Sequence, residues 1–166
     1  MVGHGQTPRL IHRNDMNYTN AVLLESMRMS SIAILALPHF ALSDVSIGPY
    51  IIPKGTTVLA SIVSVLLDPE YFTDPHKFIP ERFLDSNGKF KHDEHVIPFG
   101  VGKRYCLGQS LAEKEFFLFF TGLMQKFDIE SPPGQVPPSY HINDSISVGT
   151  VRSAPQFKVL MTSRVN

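Results

Sequence analysis

Only one cysteine, Cys106, occurs in 166 residues. No internal disulfide can form, so the chain suits a reducing compartment unless the thiol is kept for its chemistry. Charge is scarce, at 18% of residues against roughly 25% in soluble domains. The 15 basic and 15 acidic side chains cancel, and a basic surface for nucleic acid has no support. No apolar run reaches the roughly 18 residues a membrane span needs. The longest are Ile32 to Leu37, stopped by Pro38, and Val58 to Leu67, interrupted by Ser61 and Ser64. A transmembrane helix is therefore excluded, and the polar opening from Met1 to Asn17 is no signal peptide. No fixed-period repeat appears, and nothing before the tail reads as a linker between domains.

Core-forming material is plentiful. Hydrophobic residues make up 43% of the chain and include 12 phenylalanines, which argues against intrinsic disorder. The 13 prolines exceed the roughly 5% average and predict long irregular stretches. Residues 1–16 read as a loop. Asn17 to Ser30 has no Gly or Pro and reads as a helix capped near Asn17 or Thr19. Asp44 to Ser61 is β-rich around Pro53-Lys54-Gly55, which predicts a hairpin closed there by a type I turn. Prolines at 69, 75, 80 and 98 forbid long helices or central strands from Asp68 to Pro98. A segment so irregular is expected to have a job. Gln109 to Phe127 reads as a helix with apolar side chains in nearly every direction, the pattern of a helix buried inside something large. After a proline-rich loop from Pro132 to Pro138, Ser145 to Val151 and Phe157 to Met161 read as a closing strand pair. The expected class is α+β, mainly α with small β-sheets and much coil.

Two constellations carry chemistry. Glu25 and Arg28 sit three apart on the first helix among Val22, Leu23, Leu24, Met27 and Met29. A carboxylate and guanidinium in such company must satisfy each other, with a third partner expected; the plain alternative is a surface ion pair. Around Cys106, the run Phe99-Gly100-Val101-Gly102-Lys103-Arg104-Tyr105-Cys106-Leu107-Gly108 puts a lone thiol in a Gly-rich turn at the mouth of the second helix. The positive end of that helix dipole and Arg104 complement a sulfur anion. Gly100, Gly102 and Gly108 leave room for a large flat group to approach the backbone and sulfur; the plain alternative is a buried structural cysteine. Neither nucleotide motif fits. Arg104 follows Gly102-Lys103 where a phosphate loop needs Ser or Thr, and residue 105 is tyrosine where a third glycine is required. His92 and His95 with one thiol make a poor zinc site and read as loop histidines.

The sequence F-G-x-G-x-R-x-C-x-G from Phe99 to Gly108 resembles the haem-thiolate signature of the cytochrome P-450 monooxygenases at every fixed position. At residue frequencies of about 5–7%, such a match arises by chance in about one chain in a million. Glu25-x-x-Arg28 resembles the family's helix motif, and Phe78-Ile79-Pro80-Glu81-Arg82-Phe83 its meander element. Pro38-His39, Ile52-Pro53-Lys54-Gly55-Thr56 and Asp68-Pro69 are similar to the microsomal, xenobiotic- and steroid-metabolising animal branch. The resemblance runs from about residue 3 onward, with Phe72 standing where tryptophan is usual.

That resemblance implies a set of roles. Cys106 is the axial ligand of the iron of haem b (iron protoporphyrin IX), within a cradle of Phe99, Gly100, Gly102, Arg104 and Gly108. Arg104 and His39 bond the haem propionates, and Phe99 packs beside the ring. Arg82 completes a structural triad with Glu25 and Arg28. Ile32, Ala33, Ile34, Leu35 and Leu37 line a pocket for a lipophilic small molecule, with Ser147 and Val148 in a second wall at 147–150. Lys103 lies on the side where an NADPH-dependent reductase docks as a separate electron donor. The implied reaction inserts one oxygen atom of O2 into that substrate, on the cytosolic face of the endoplasmic reticulum membrane. Residues 1–166 form the C-terminal haem-ligating part of a single domain, incomplete as given, with the family's membrane anchor and central helices absent. The alternative is a non-catalytic fragment that binds haem or a partner weakly.

Overall fold

The computed structural model describes residues 6–137, 146–148 and 151–164. After a 3-10 turn at Leu10–Asp15, helix α1 spans Asn17–Ser30, the range its lack of Gly and Pro predicts. Its start falls beside Asn17, as expected, but no side chain caps it. Met16 occupies the cap without a side-chain bond, and the Met16 carbonyl accepts from the Asn20 amide at 2.9 Å. The Asn17 side chain is used elsewhere, accepting the Phe90 amide at 3.0 Å and so tying the helix to residues 73 positions on. The helix stops at Ser31, whose φ of 38° is left-handed, with its hydroxyl donating to the Arg28 carbonyl at 2.8 Å.

Four short strands follow: β1 (His39–Phe40), β2 (Val45–Ile47), β3 (Tyr50–Ile52) and β4 (Thr57–Val58). The hairpin closes at Gly48-Pro49, not at Pro53-Lys54-Gly55, because β2 pairs with β3 in the register Ile47 with Tyr50. Gly48, with a φ of 55°, supplies the positive angle that a tight two-residue loop needs at its first position. The Pro53 turn differs too. The Thr56 amide donates to the Pro53 carbonyl at 3.2 Å, so proline stands first and Gly55 third, where its φ of 83° fits a type II turn rather than type I. That turn redirects β4 to pair with β1, His39 opposite Val58.

A short helix not foreseen, α2 (Ile62–Leu66), begins where the Ser61 hydroxyl caps the Ser64 amide. From Asp68 to Pro98 the chain is irregular, as the prolines dictate; its regular pieces are a 3-10 turn at Pro80–Phe83 and one bridge between Leu84 and Phe90. Ala21 and Leu24 of α1, Ile62 and Leu66 of α2, and Phe72, Phe83 and Val96 of the meander form the core.

Helix α3 spans Gln109–Lys126. Phe127, expected to end it, opens β5 (Phe127–Glu130) instead. The apolar pattern predicts burial on all sides, yet within this chain only Phe117 and Thr121 of α3 are buried among the described residues. Leu111 is 63% and Phe119 70% exposed, because α1 and the 3-10 turn at Leu10–Asp15 cover only one side. The expected closing pair is also rearranged: β6 (Ile146–Val148) pairs with β7 (Val151–Ser153), while β8 (Leu160–Ser163) pairs with β5. Small antiparallel sheets beside helices make this an α+β chain. None of its described helices is long and apolar enough to cross a membrane.

Candidate functional site

The thiol loop is shaped by its own backbone. The Gly100 amide donates to Ile97 at 3.0 Å just beyond the buried Val96. Gly100 and Gly102 then take φ values of 74° and 71°, angles that side-chain-bearing residues reach only with strain. A 3-10 turn at Gly102–Arg104 follows, and the Cys106 amide donates back to the Phe99 carbonyl at 2.9 Å. That bond closes the loop and fixes Cys106 relative to Phe99. The Cys106 carbonyl then accepts the Gln109 amide at 3.2 Å, joining the loop to the first turn of α3. Cys106 is free and exposed, and every residue from Val101 to Gly108 faces outward. The structural-cysteine alternative does not hold in this chain.

The loop fits a broad, flat, anionic group bound through sulfur. A Cβ at Gly108 would lie 3.7 Å from Cys106 Sγ, and one at Gly102 would meet nothing within 4 Å, so glycine keeps the sulfur's flank bare and the turn open. Arg104 is exposed at the end of the 3-10 turn, and His39 is exposed on β1. Neither side chain has a hydrogen-bond or ion-pair partner among the described residues. Both are available for carboxylates of a bound group.

The segment after α1 links β7 to the residue that caps α2. Ala33 bridges Val151 of β7, Leu35 bridges Ser61, and the Arg152 amide donates to the Ile32 carbonyl at 2.8 Å. Because Val151 also pairs with Val148, and Ser147 with Arg152, the two expected pocket walls join into one ladder. Ala33, Ile34 and Leu35 are half-buried, whereas Ile32 and Leu37 are exposed. Gly149 and Thr150 lie outside the described residues.

Glu25, Arg28 and Arg82 are brought together. Glu25 and Arg28 are fully buried. Arg28 donates its Nε to Glu25 Oε2 at 2.7 Å and its Nη2 to Glu25 Oε1 at 2.9 Å, a bidentate pair. Glu25 Oε1 also accepts the Ile79 amide at 2.9 Å and Arg82 Nε at 3.2 Å. The remaining guanidinium donors reach carbonyls: Arg28 Nη1 to Leu66 at 2.8 Å and Arg82 Nη1 to Thr73 at 3.0 Å. One carboxylate thus fastens α1 to the meander at several points. Phe72, noted in the sequence only as a replacement for tryptophan, is the aromatic floor beneath both cations, 4.9 Å from Arg28 and 5.9 Å from Arg82.

Other polar contacts escaped the sequence reading because their partners are distant or carry no motif. Tyr18 donates to Glu81 at 3.1 Å, bonding α1 to the 3-10 turn of the meander. His95 stacks on Tyr71 with ring centroids 3.6 Å apart, and the Tyr71 hydroxyl donates to both oxygens of Asp93 at 3.0 and 3.1 Å. Burial, then the Asp93 hydrogen bond and charge, raises the Tyr71 pKa above the ordinary tyrosine value. The Tyr18 pKa is raised by its Glu81 bond first, then by that residue's charge.

A model of the cytochrome P450 family matches residues 1–161. The chain is 42% identical over 164 residues to a farnesoate epoxidase of Bombyx mori, covering 99% of this chain and 32% of that protein. It is 40% identical over 164 residues to cytochrome P450 2C23 of Rattus norvegicus, covering 99% of this chain and 33% of that protein. It is 38% identical over 165 residues to a steroid 17-alpha-hydroxylase/17,20 lyase of Squalus acanthias, covering 98% and 32% respectively. The chain therefore spans about a third of the length of the relatives it matches. With the thiol loop, the buried carboxylate cluster and the meander in one chain, and the family match running through all three, this chain belongs to the cytochrome P450 family.

Proposed function

We propose that residues 1–166 are the haem-ligating part of a single monooxygenase domain, which inserts one oxygen atom of O2 into a lipophilic small molecule. Electrons come from an NADPH-dependent reductase, docked on the Lys103 side of the thiol loop. The observation that carries this reading is the exposed Cys106 at the head of α3, its backbone amide bonded to the Phe99 carbonyl. Haem b bound there would supply O2 activation, favoured by electron density from the Cys106 sulfur.

The chain's own residues do the rest. Cys106 would hold the iron, and the backbone bond to Phe99 fixes the Cys106 amide where the loop closes. Phe99 packs beside the ring. Gly100, Gly102 and Gly108 keep side chains out of the ring's path. Arg104 and His39 would donate hydrogen bonds to the propionates, with Arg104 adding its guanidinium charge. The aliphatic ladder of Ile32, Ala33, Ile34, Leu35 and Leu37, with Ser147 and Val148 beside it, orients an apolar substrate and excludes water. The full-length protein works at the cytosolic face of the endoplasmic reticulum membrane.

The test is the absorption spectrum of the haem-reconstituted, reduced protein under carbon monoxide. A strongly red-shifted Soret band that Cys106→Ala abolishes supports thiolate ligation; the same band in Cys106→Ala refutes it. The exposed apolar face of α3 favours a second reading, in which this chain by itself binds haem or a partner weakly without turnover. Haem-independent digestion of the 166-residue chain in limited proteolysis, with a thiolate band from a longer chain carrying it, supports that second reading.

A further inference from the structure

A polar chain outside the triad also reaches the thiol loop. Arg13, on the 3-10 turn before α1, donates its Nε to Asn20 Oδ1 at 3.0 Å, and Asn20 Nδ2 returns a bond to the Arg13 carbonyl at 2.7 Å. Asn20 is only 7% exposed, so this reciprocal pair fixes the Arg13 backbone and side chain against α1. From there the guanidinium points at α3. It lies 5.8 Å from the ring of Phe117, the buried anchor of that helix, and 3.9 Å from Glu113. Glu113 accepts from Gln109 Nε2 at 2.9 Å, and the Gln109 amide bonds the carbonyl of Cys106.

Resting on the haem-thiolate reading above, we infer that Arg13 is a positioning residue for Cys106, acting through Glu113 and the first turn of α3. The ion pair alone is long and partly solvated, and by itself would hold little. What gives Arg13 its grip is the combination of a clamped guanidinium, an aromatic face beneath it and a carboxylate already tied to Gln109. The Glu25 cluster fastens the meander to α1 at Ile79 and Arg82, whereas the Arg13 network acts where the thiol loop runs into α3.

The test compares the protein with its Arg13→Ala, Arg13→Lys and Glu113→Gln variants by two readouts. One is amide hydrogen exchange in the haem-free protein; the other is the fraction of thiolate-type Soret band in the haem-loaded, reduced, carbon-monoxide form. Arg13→Ala is expected to speed exchange at the Gln109 and Ala112 amides on the order of tenfold, with Leu24 and Phe72 unchanged, and to lower the thiolate fraction. Arg13→Lys should not restore either, because one ammonium cannot bond Asn20 and face Glu113 at once as Nε and Nη2 do, and it has no planar face for Phe117. Glu113→Gln, on a partly exposed side chain, should fold normally and show a smaller change in the same direction. Unchanged exchange in α3, or an equal rise in α1 and α3, overturns the inference. If the unmodified protein gives no thiolate band, the haem reading fails while the exchange readout still decides whether Arg13 holds the turn.

Discussion

Replacing Glu25 by alanine strikes the one carboxylate on which α1 and the meander converge. It accepts two bonds from Arg28, one from Arg82 and one from the Ile79 amide. Without it, Arg28 keeps the Leu66 carbonyl and a long contact of 3.5 Å to the Lys77 carbonyl, while remaining fully buried. Breaking a buried pair by removing one partner costs about 3–5 kcal/mol. The orphaned Ile79 amide works in the same direction, at about 1–3 kcal/mol, though costs within one network do not simply add. Set against the roughly 5–15 kcal/mol that holds a typical domain together, this is a large fraction. For a chain of this size it lowers Tm by about 6–20 °C, measurable by circular dichroism or calorimetry. Glu25→Gln keeps an acceptor for the amide but loses the charge, so its drop should fall between those of wild type and Glu25→Ala. A Glu25→Ala Tm within about 3 °C of wild type would refute the claim that the two guanidiniums depend on this carboxylate.

Other outcomes follow from single contacts. Phe72→Ala removes the floor under both cations and should cost about 3–5 kcal/mol in denaturant unfolding. Gly100→Ala forces a side-chain-bearing residue to a φ of 74°; it should lose about 1–2 kcal/mol in the same assay. The raised Tyr71 pKa makes stability pH-dependent: its contribution is fully present below the unfolded tyrosine value of about 10 and is lost as pH rises through the higher folded value. In alkaline titrations followed by tyrosinate absorbance and by Tm, Tyr71→Phe should remove one late-titrating phenol and flatten the alkaline decline of Tm.

Local signals in the sequence were legible and distant pairings were not. Helix α1 follows from a stretch free of Gly and Pro, and the meander from its prolines, because both effects act within a few residues. The hairpin is a finer matter. The β-rich run marks strands, but Gly48-Pro49 and Pro53-Lys54-Gly55 are both plausible turns, and the cross-strand register decides between them. Ile62-Val63-Ser64-Val65-Leu66 carries the β-branched residues of a strand yet forms α2, where the cap from Ser61 and burial of Ile62 and Leu66 outweigh propensity. The pairing of β5 with β8, Phe127 opposite Ser163, joins segments far apart in the chain and is marked by no local signal. At the site, Cys106 and its glycines stand in a compact run, so their proximity is readable. The Glu25–Arg28 pair follows from helical spacing, whereas Arg82 entered by family resemblance alone. The Arg13 network left no motif, since Arg13, Asn20 and Glu113 meet only once three separate elements have packed.

The Glu25 cluster also bears on the order in which the chain folds. The carboxylate meets Arg28 within one helical turn, but its bonds to Ile79 and Arg82 span 54 and 57 residues. The entropy of closing so long a loop must be met before those bonds form. Until the meander arrives, a collapsed α1 would bury an incompletely bonded ion pair, which is unfavourable. Premature packing of α1 against α2 alone is therefore penalised, and the last segment to dock makes the earlier contacts stable. The cluster works as a checkpoint on assembly, admitting α1 to the interior only in the company of the loop that belongs there.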